Sequence, residues 1–378
     1  MRVLQFVLSF SPGGRREAMA TLTSRLNAEG VESDLCCVDT LDCAESDLAG
    51  KFQSWWELKP KSKSESRTAQ LQRIVQERRI DVIHCHCASS QFVATRTFWW
   101  KRSPPIVMTF HRSLSIESAR WQDKARNAFA GMRCSAIIVG SRERWRHYTS
   151  ENFIAKKKVI RIPFGIDTDK FGASPHAREE VRRELGVSES CILVGMMGHF
   201  GEEKGVDVGL KAFVECWRRA AAGKLALVVL GTGTAEQADK LRALAVDCGS
   251  GVHFAGFRKD RERYFAAMDL FLHTPRQEAF GLVVAEAMST GLPVIATSVG
   301  GVSDIVRSEE TGILIGSEDV KAAAQALQTL TSDREKLARF GQRGREIATT
   351  DYSAAVYGQR HVEMYRTVLE GRMLTNQA

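Results

Sequence analysis

The chain has 378 residues, 44% hydrophobic and 26% charged, which excludes a disordered or fibrous protein. At roughly 100–200 residues per domain, it points to two domains. No apolar run approaches the ~18 residues of a membrane-spanning helix, so a transmembrane protein is excluded too. The net charge of +8 is unevenly placed: residues 1–170 hold 28 Lys and Arg against 18 Asp and Glu, while the remainder is slightly acidic, and 51–161 alone carries 23 basic and 8 acidic residues. The first half is built to meet something anionic, whether nucleic acid, a membrane surface or a phosphorylated substrate.

The N-terminal apolar stretch is too short for a secretory signal and reads as a first buried strand, 3–9. Further strands are expected at 33–38, 81–86, 106–110, 136–139 and 159–162, separated by helices at 15–29, 67–79, 90–99 and 116–131. The polar segment 59–66 (KPKSKSES) reads as a surface loop. The second half repeats the alternation, with strands at 192–197, 226–231, 252–254, 270–273, 293–296 and 312–314 and helices such as 207–221 and 235–247. A long helix over 354–374 closes the chain. This order predicts an α/β fold of two Rossmann-like, doubly wound parallel-sheet domains facing a cleft, with ligands at the carboxyl ends of the strands. The expected limits are 1–170 and 171–352, with 353–378 crossing back onto the first domain. The nine cysteines follow no disulfide framework and read as reduced thiols of a cytoplasmic protein.

Several segments after strands carry chemistry. Gly13 and Gly14 precede the first helix, where a backbone without Cβ lets an anion approach free N–H groups; a plain tight turn explains them equally well. His84-Cys85-His86-Cys87 resembles a metal cluster, but alternate residues of a strand face opposite sides and no second Cys/His pair stands at zinc spacing. His111 ends the fourth strand, where it can bond a substrate hydroxyl or phosphate, or sit as an ordinary turn histidine. The loop 198–205 (GHFGEEKG) offers His199 and Lys204 at a helix start, suited to a diphosphate, and Gly231-Thr232-Gly233 recurs after the next strand. The segment 278–286 (EAFGLVVAE) is the most informative. Glu278 precedes a turn through Phe280, Gly281 and Leu282 into an apolar helix, and Glu286 lies inside that helix. There a carboxylate is costly without donors, and vicinal ribose hydroxyls would supply them.

Together with Asp81-Val82-Ile83-His84, Thr109-Phe110-His111, Pro163-Phe164-Gly165-Ile166-Asp167 and Gly291-Leu292-Pro293-Val294, these segments make the chain resemble the retaining glycosyltransferases of two-Rossmann (GT-B) architecture, family-4 type. That group includes phosphatidylinositol mannosyltransferases and lipopolysaccharide glycosyltransferases. The resemblance implies transfer of a sugar from a nucleoside-diphosphate donor, of UDP or GDP type, to a glycan or lipid-linked acceptor, with no metal or other cofactor. Lys204 and the Gly281 turn would hold the diphosphate, Glu286 the ribose and Glu278 the donor sugar. His111 would bond that sugar near the reacting carbon. Two positions depart from the family pattern: His199 stands where Arg is usual, with Arg276 or Arg15 as possible substitutes for its charge, and Phe164 stands where Asn is usual. The alternatives are a catalytically weak nucleotide-sugar binder and a nucleic-acid binder using the basic half. In that half Trp55, Trp56, Trp99, Trp100, Trp121 and Trp145 fall on expected helices without a recognisable RNA-binding motif, so nucleic acid is not the expected partner. The same basic and Trp-rich stretch, with Phe98 to Arg102, predicts peripheral docking on an anionic membrane surface.

Overall fold

The computed structural model describes residues 1–11, 13–42, 48, 50–58, 66–99, 103–111, 131–150, 154–221, 223–372 and 374. It divides into two compact units, Met1–Gly165 with Ala354–Ala378, and Ile166–Ser353.

The first unit is built on seven parallel strands: β1 (Arg2–Ser9), β2 (Glu32–Thr40), β3 (Trp55–Glu57), β4 (Val82–Cys85), β5 (Ile106–Phe110), β6 (Ala136–Val139) and β7 (Val159–Arg161), in the order β3-β2-β1-β4-β5-β6-β7. Helices α1 (Gly14–Ala28), α2 (Arg67–Glu77), α3 (Ala88–Thr97) and α4 (Arg142–Ser150) connect or flank them. Central strands such as β5 and β6 are buried throughout, as expected of a parallel sheet covered on both faces. One face packs around Leu4, Phe6, Ile83, Met108 and Ile137, the other around Val7, Phe10, Leu35 and Cys37. The order reverses direction between β1 and β4, the place where ligands of such sheets bind.

The second unit has six parallel strands: β8 (Ile192–Met197), β9 (Leu225–Leu230), β10 (Val252–Gly256), β11 (Leu270–His273), β12 (Val294–Thr297) and β13 (Gly312–Ile315), ordered β10-β9-β8-β11-β12-β13. Its helices are α5 (Pro175–Glu184), α6 (Val206–Trp217), α7 (Ala235–Leu244), α8 (Arg261–Ala267), α9 (Leu282–Thr290), α10 (Val302–Ile305), α11 (Val320–Ser332) and α12 (Arg334–Asp351). Local signals set their starts. Pro175 follows the Ser174 cap of α5, Thr234 and Gln237 form a capping box on α7, and Asp319 and Asp333 cap α11 and α12. A buried ion pair braces the same unit. Arg182 of α5 donates to the Ala267 carbonyl at 2.8 Å and to Asp269 at 3.2 Å, and Asp269 also accepts from Arg178 and from the Leu193 N–H.

The last helix, α13 (Ala354–Leu369), returns to the first unit and packs on α1. Gly165 fits under it closely: a Cβ there would lie 2.4 Å from the Tyr357 Cβ.

The structure corrects three expectations. Trp55 and Trp56 lie on β3, a three-residue edge strand, partly buried against the two cores rather than on a helix. Trp145 does lie on a helix, α4, where it packs on the core and donates its Nε1–H to the Val159 carbonyl at 3.3 Å. Trp99 lies in the turn after α3, facing the Arg133 guanidinium at 5.8 Å. The helix expected over 235–247 stops at Leu244, where Ala245 leaves the helical conformation, and gives way to a 3-10 turn, Val246–Gly251, kinked at Gly249. Trp100, Lys101, Arg102, Trp121 and the expected helix 116–131, apart from Gly131, lie outside the described residues, as does the loop 59–66 apart from Ser66. The eight cysteines among the described residues are free thiols. No described helix is long and apolar enough to cross a membrane.

Candidate active site

In the second unit, the loops after β8, β11 and the turn into α9 converge. The 3-10 turn Glu202–Lys204 ends on Gly205, whose φ of 57° starts α6 and whose missing Cβ leaves room for the Thr274 carbonyl; a Cβ there would lie 1.9 Å from that oxygen. This contact brings the 198–205 loop against the end of β11. Lys204 Nζ thereby reaches Glu278 Oε2 at 2.9 Å. His273 Nε2, at the end of β11, faces the same oxygen at 3.4 Å, and Glu278 Oε1 accepts from the Ala279 N–H at 3.0 Å. The pair is asymmetric: the Glu278 side chain is 12% exposed and that of Lys204 is 23% exposed, so the carboxylate bears most of the burial. Burial alone would push the Glu278 carboxyl up; the His273 imidazole and the Lys204 ammonium outweigh it and hold the carboxyl down at about 2.

Gly281 follows with φ 100°, a conformation L side chains rarely adopt, and caps α9. The α9 helix begins at Leu282, so its first N–H groups have no partner within the helix. Phe280, 2% exposed, anchors the turn by packing edge-on against Tyr352. Lys204, Glu278, Phe280, Gly281 and Leu282 are thus brought together, and they combine a cation, a carboxylate and a helix N-terminus. His199 lies on the same loop with its side chain 58% exposed, bonded to Glu203 at 2.8 Å through Nε2 and accepting from the Gly201 N–H through Nδ1. Arg276, one of the two residues named as a substitute for the family's Arg, is held bidentate by Asp207 at 2.9 and 3.0 Å and also bonds Glu318. These hydrogen bonds raise its pKa further.

Glu286, one and a half turns into α9, is 3% exposed. From the sequence, ribose hydroxyls are the expected donors to this carboxylate. The structure supplies another partner: Arg261 at the start of α8 grips it bidentately at 2.8 and 3.1 Å. Neither Arg261 nor His273 was named from sequence. His273 had a signal, a titratable residue at the carboxyl end of a strand. The Arg261 pairing had none.

In the first unit, Gly13 takes φ 132° ahead of α1, and Gly14 is the first residue of that helix. Arg15 folds back to the Ser9 carbonyl at 2.9 Å. His111 follows β5, half-buried, stacked on Phe164 with centroids 5.0 Å apart. His84 and His86 point to one face, as alternate residues of a strand should, and both are buried. Among the described residues no group of three or more His, Cys, Asp or Glu could hold a metal.

Two doubly wound parallel sheets, the second with a cation and a helix N-terminus gathered at its strand ends, define the two-Rossmann architecture. Comparison with known proteins agrees. The family model described as "Glycosyltransferase Family 4" matches residues 12–170, and "Glycosyl transferases group 1" matches residues 177–347. The chain is 31% identical over 327 residues to the D-inositol 3-phosphate glycosyltransferase of Nocardia farcinica, covering 79% of this chain and 71% of that protein. It is 33% identical over 204 residues to the lipopolysaccharide core biosynthesis mannosyltransferase LpsB of Rhizobium meliloti, covering 52% and 56% of the two. The crystal structure of HepE from Anabaena in complex with UDP shares the fold, with a TM-score of 0.86 at 21% identity over 97% of this chain and all of that one. The chain belongs to the family-4, group 1 glycosyltransferases. It spans about half to two thirds of the length of most of the curated relatives it matches.

Proposed function

We propose that the chain is a retaining glycosyltransferase that moves a sugar from a nucleoside-diphosphate donor to a glycan or lipid-linked acceptor in cell-envelope polysaccharide or glycolipid synthesis. The observation that supports it best is the Lys204–Glu278 pair beside the Gly281 turn. A partly exposed ammonium held by a buried carboxylate is positioned before any ligand arrives, and the α9 N-terminus adds N–H donors to the same place. A diphosphate fits that arrangement. In this reading the acceptor oxygen attacks the anomeric carbon as its bond to the diphosphate breaks. The departing phosphate takes the acceptor's proton, and Lys204 and the turn meet the charge that builds on it. Glu278 accepts from the donor sugar, Glu286 shares its carboxylate between Arg261 and the ribose, and His111 bonds the sugar near the reacting carbon. Gly13 and Gly14 leave room for the donor at the first strand's end.

A lipid-linked acceptor met at an anionic membrane face is part of the proposal. The excess of basic residues over 51–161 supports it; Trp55 and Trp56, packed on the core, do not.

The test is a thermal-shift and calorimetric titration with UDP, GDP, ADP, UDP-glucose and GDP-mannose. One base is expected to bind, and ligand at 100 times its Kd should stabilise the chain by roughly 2.7 kcal/mol. Lys204→Ala is expected to erase the preference for the diphosphate over the monophosphate of that base. No shift with any nucleotide, or an intact diphosphate preference in Lys204→Ala, would refute the reading.

A further inference from the structure

The first unit buries a hydrogen-bonded chain of side chains that leads to His111. Gln5 sits in the middle of β1 and pairs in register with His84 of β4, so the two share a face. His86 Nε2 lies 2.6 Å from Gln5 Oε1, and His86 Nδ1 lies 3.0 Å from His111 Nε2. Gln5 and His86 are at most 1% exposed, and only His111, at the end of the chain, is partly open. Beside it, His84 is held by the Tyr365 hydroxyl of α13 and by Thr109 of β5.

Charge and proton bookkeeping fix the direction of this chain. Burial, together with the cations and imidazoles around them, keeps His86 and His111 neutral: His86 faces His111, His361 and Arg15, and His111 faces Arg15, His84, Arg144 and His361. A neutral imidazole has one N–H. The Gln5 amide is placed with Oε1 toward His86; in that orientation it can only accept, so the His86 proton is on Nε2 and its Nδ1 is bare. A bare nitrogen at 3.0 Å needs a donor, which is His111 Nε2–H. The single proton of His111 is then spent, and its Nδ1 is a pure acceptor.

We propose that Gln5 and His86 are positioning residues that fix His111 in its Nε2–H tautomer, so that His111 accepts a hydrogen bond from a sugar hydroxyl through Nδ1 and does not act as a proton donor. The functional half of this rests on the proposed role of His111 in sugar transfer; the tautomer itself does not. Arg15 and Arg144 oppose an imidazolium at His111, so the residue orients a hydroxyl without taking its proton.

The test is long-range proton–nitrogen NMR on the full chain labelled with 15N-histidine, with His111 assigned by its absence in His111→Asn. The wild-type spectrum should show His111 with its proton on Nε2 and a bare Nδ1 across neutral pH. Gln5→Leu should release the chain, giving a mixture of tautomers at His111. With whichever of UDP-glucose or GDP-mannose the nucleotide titration selects, donor hydrolysis by Gln5→Leu should fall about tenfold in kcat, with nucleotide affinity unchanged. His86→Asn, which can present an amide oxygen to His111, should recover part of the rate that His86→Leu loses. A wild-type His111 protonated on Nδ1 overturns the proposal without needing a variant to fold. So does a tautomer that Gln5→Leu leaves unchanged. If the tautomer moves and kcat does not, the positioning role is refuted, while the donor reading stands or falls on the nucleotide titration.

Discussion

Replacing Glu278 with Gln removes one negative charge from the Lys204 pair while keeping the side chain's size and its acceptor for the Ala279 N–H. The displacement of the Glu278 carboxyl from its ordinary 4.5 to about 2 measures how much better the folded chain binds the ionised form. At 1.36 kcal/mol per pKa unit that is roughly 3 kcal/mol. Because the folded value lies below the unfolded one, this stability is present in full above about pH 5 and is lost as pH falls through about 2. Glu278→Gln should therefore lower the stability of the second unit by roughly 3 kcal/mol at pH 7 and by only roughly 1–2 kcal/mol at pH 3. Urea unfolding followed through the fluorine signal of fluorotryptophan at position 217, the single tryptophan of residues 166–353, reads that unit alone. An equal loss at both pH values would mean that packing, not charge, holds the site. A loss below about 0.5 kcal/mol at pH 7 would mean that the pair contributes nothing measurable.

Arg182→Met removes the guanidinium from the Cys191 carbonyl and from one side of Asp269, while Arg178 still serves Asp269 and the Ala267 carbonyl, so the urea midpoint of the second unit should fall by the equivalent of about 1–3 kcal/mol with an unchanged slope. Glu286→Ala should weaken nucleotide binding by roughly 1.5–3 kcal/mol in calorimetry. Arg261→Ala, which frees the carboxylate, should not weaken it; a loss in Arg261→Ala would place the guanidinium, not Glu286, on the ligand. His199→Arg should leave stability within about 0.5 kcal/mol, since its pair with Glu203 is largely exposed, and should match or improve diphosphate affinity. Co-sedimentation with anionic vesicles at low salt, lost at high salt and absent with neutral vesicles, should report the basic half; equal negligible binding to both vesicle types would remove the membrane surface from the proposal.

The parts of the fold that were legible in sequence share one trait: the signal was local. The strands Ile106–Phe110, Ala136–Val139, Ile192–Met197 and Leu270–His273 match the expected limits because each is a short apolar run bounded by polar or turn residues. The strand Trp55–Glu57 escaped notice because three half-buried residues at a sheet edge carry no periodicity, and only Leu35–Cys37 opposite make them a strand. The same limit governs the candidate site. The Glu278 turn is visible in sequence because Gly281 has to adopt a positive φ next to it. The shortage of donors around Glu286 was equally visible, but not that Arg261, twenty-five residues earlier, would meet it through the packing of α8 on α9. The chain through His86 was half visible, since strand alternation puts His84 and His86 on one face, while their partners Gln5, His111 and Tyr365 come from three other elements.

The return of α13 to the first unit has a consequence for how the molecule is made. Residues 166–353 form a continuous body interposed within the other one, and the bond between His84 and Tyr365 joins positions 281 apart in sequence. At 5–20 residues per second, a ribosome that has finished β7 needs roughly ten to forty seconds more to reach Ala354. By the end of that interval the second unit has been made in full, while the sheet face carrying Gln5 and His84 still lacks its cover. Maturation of the first unit is therefore tied to the synthesis of α13, and its nascent form is the one with the longer claim on chaperones.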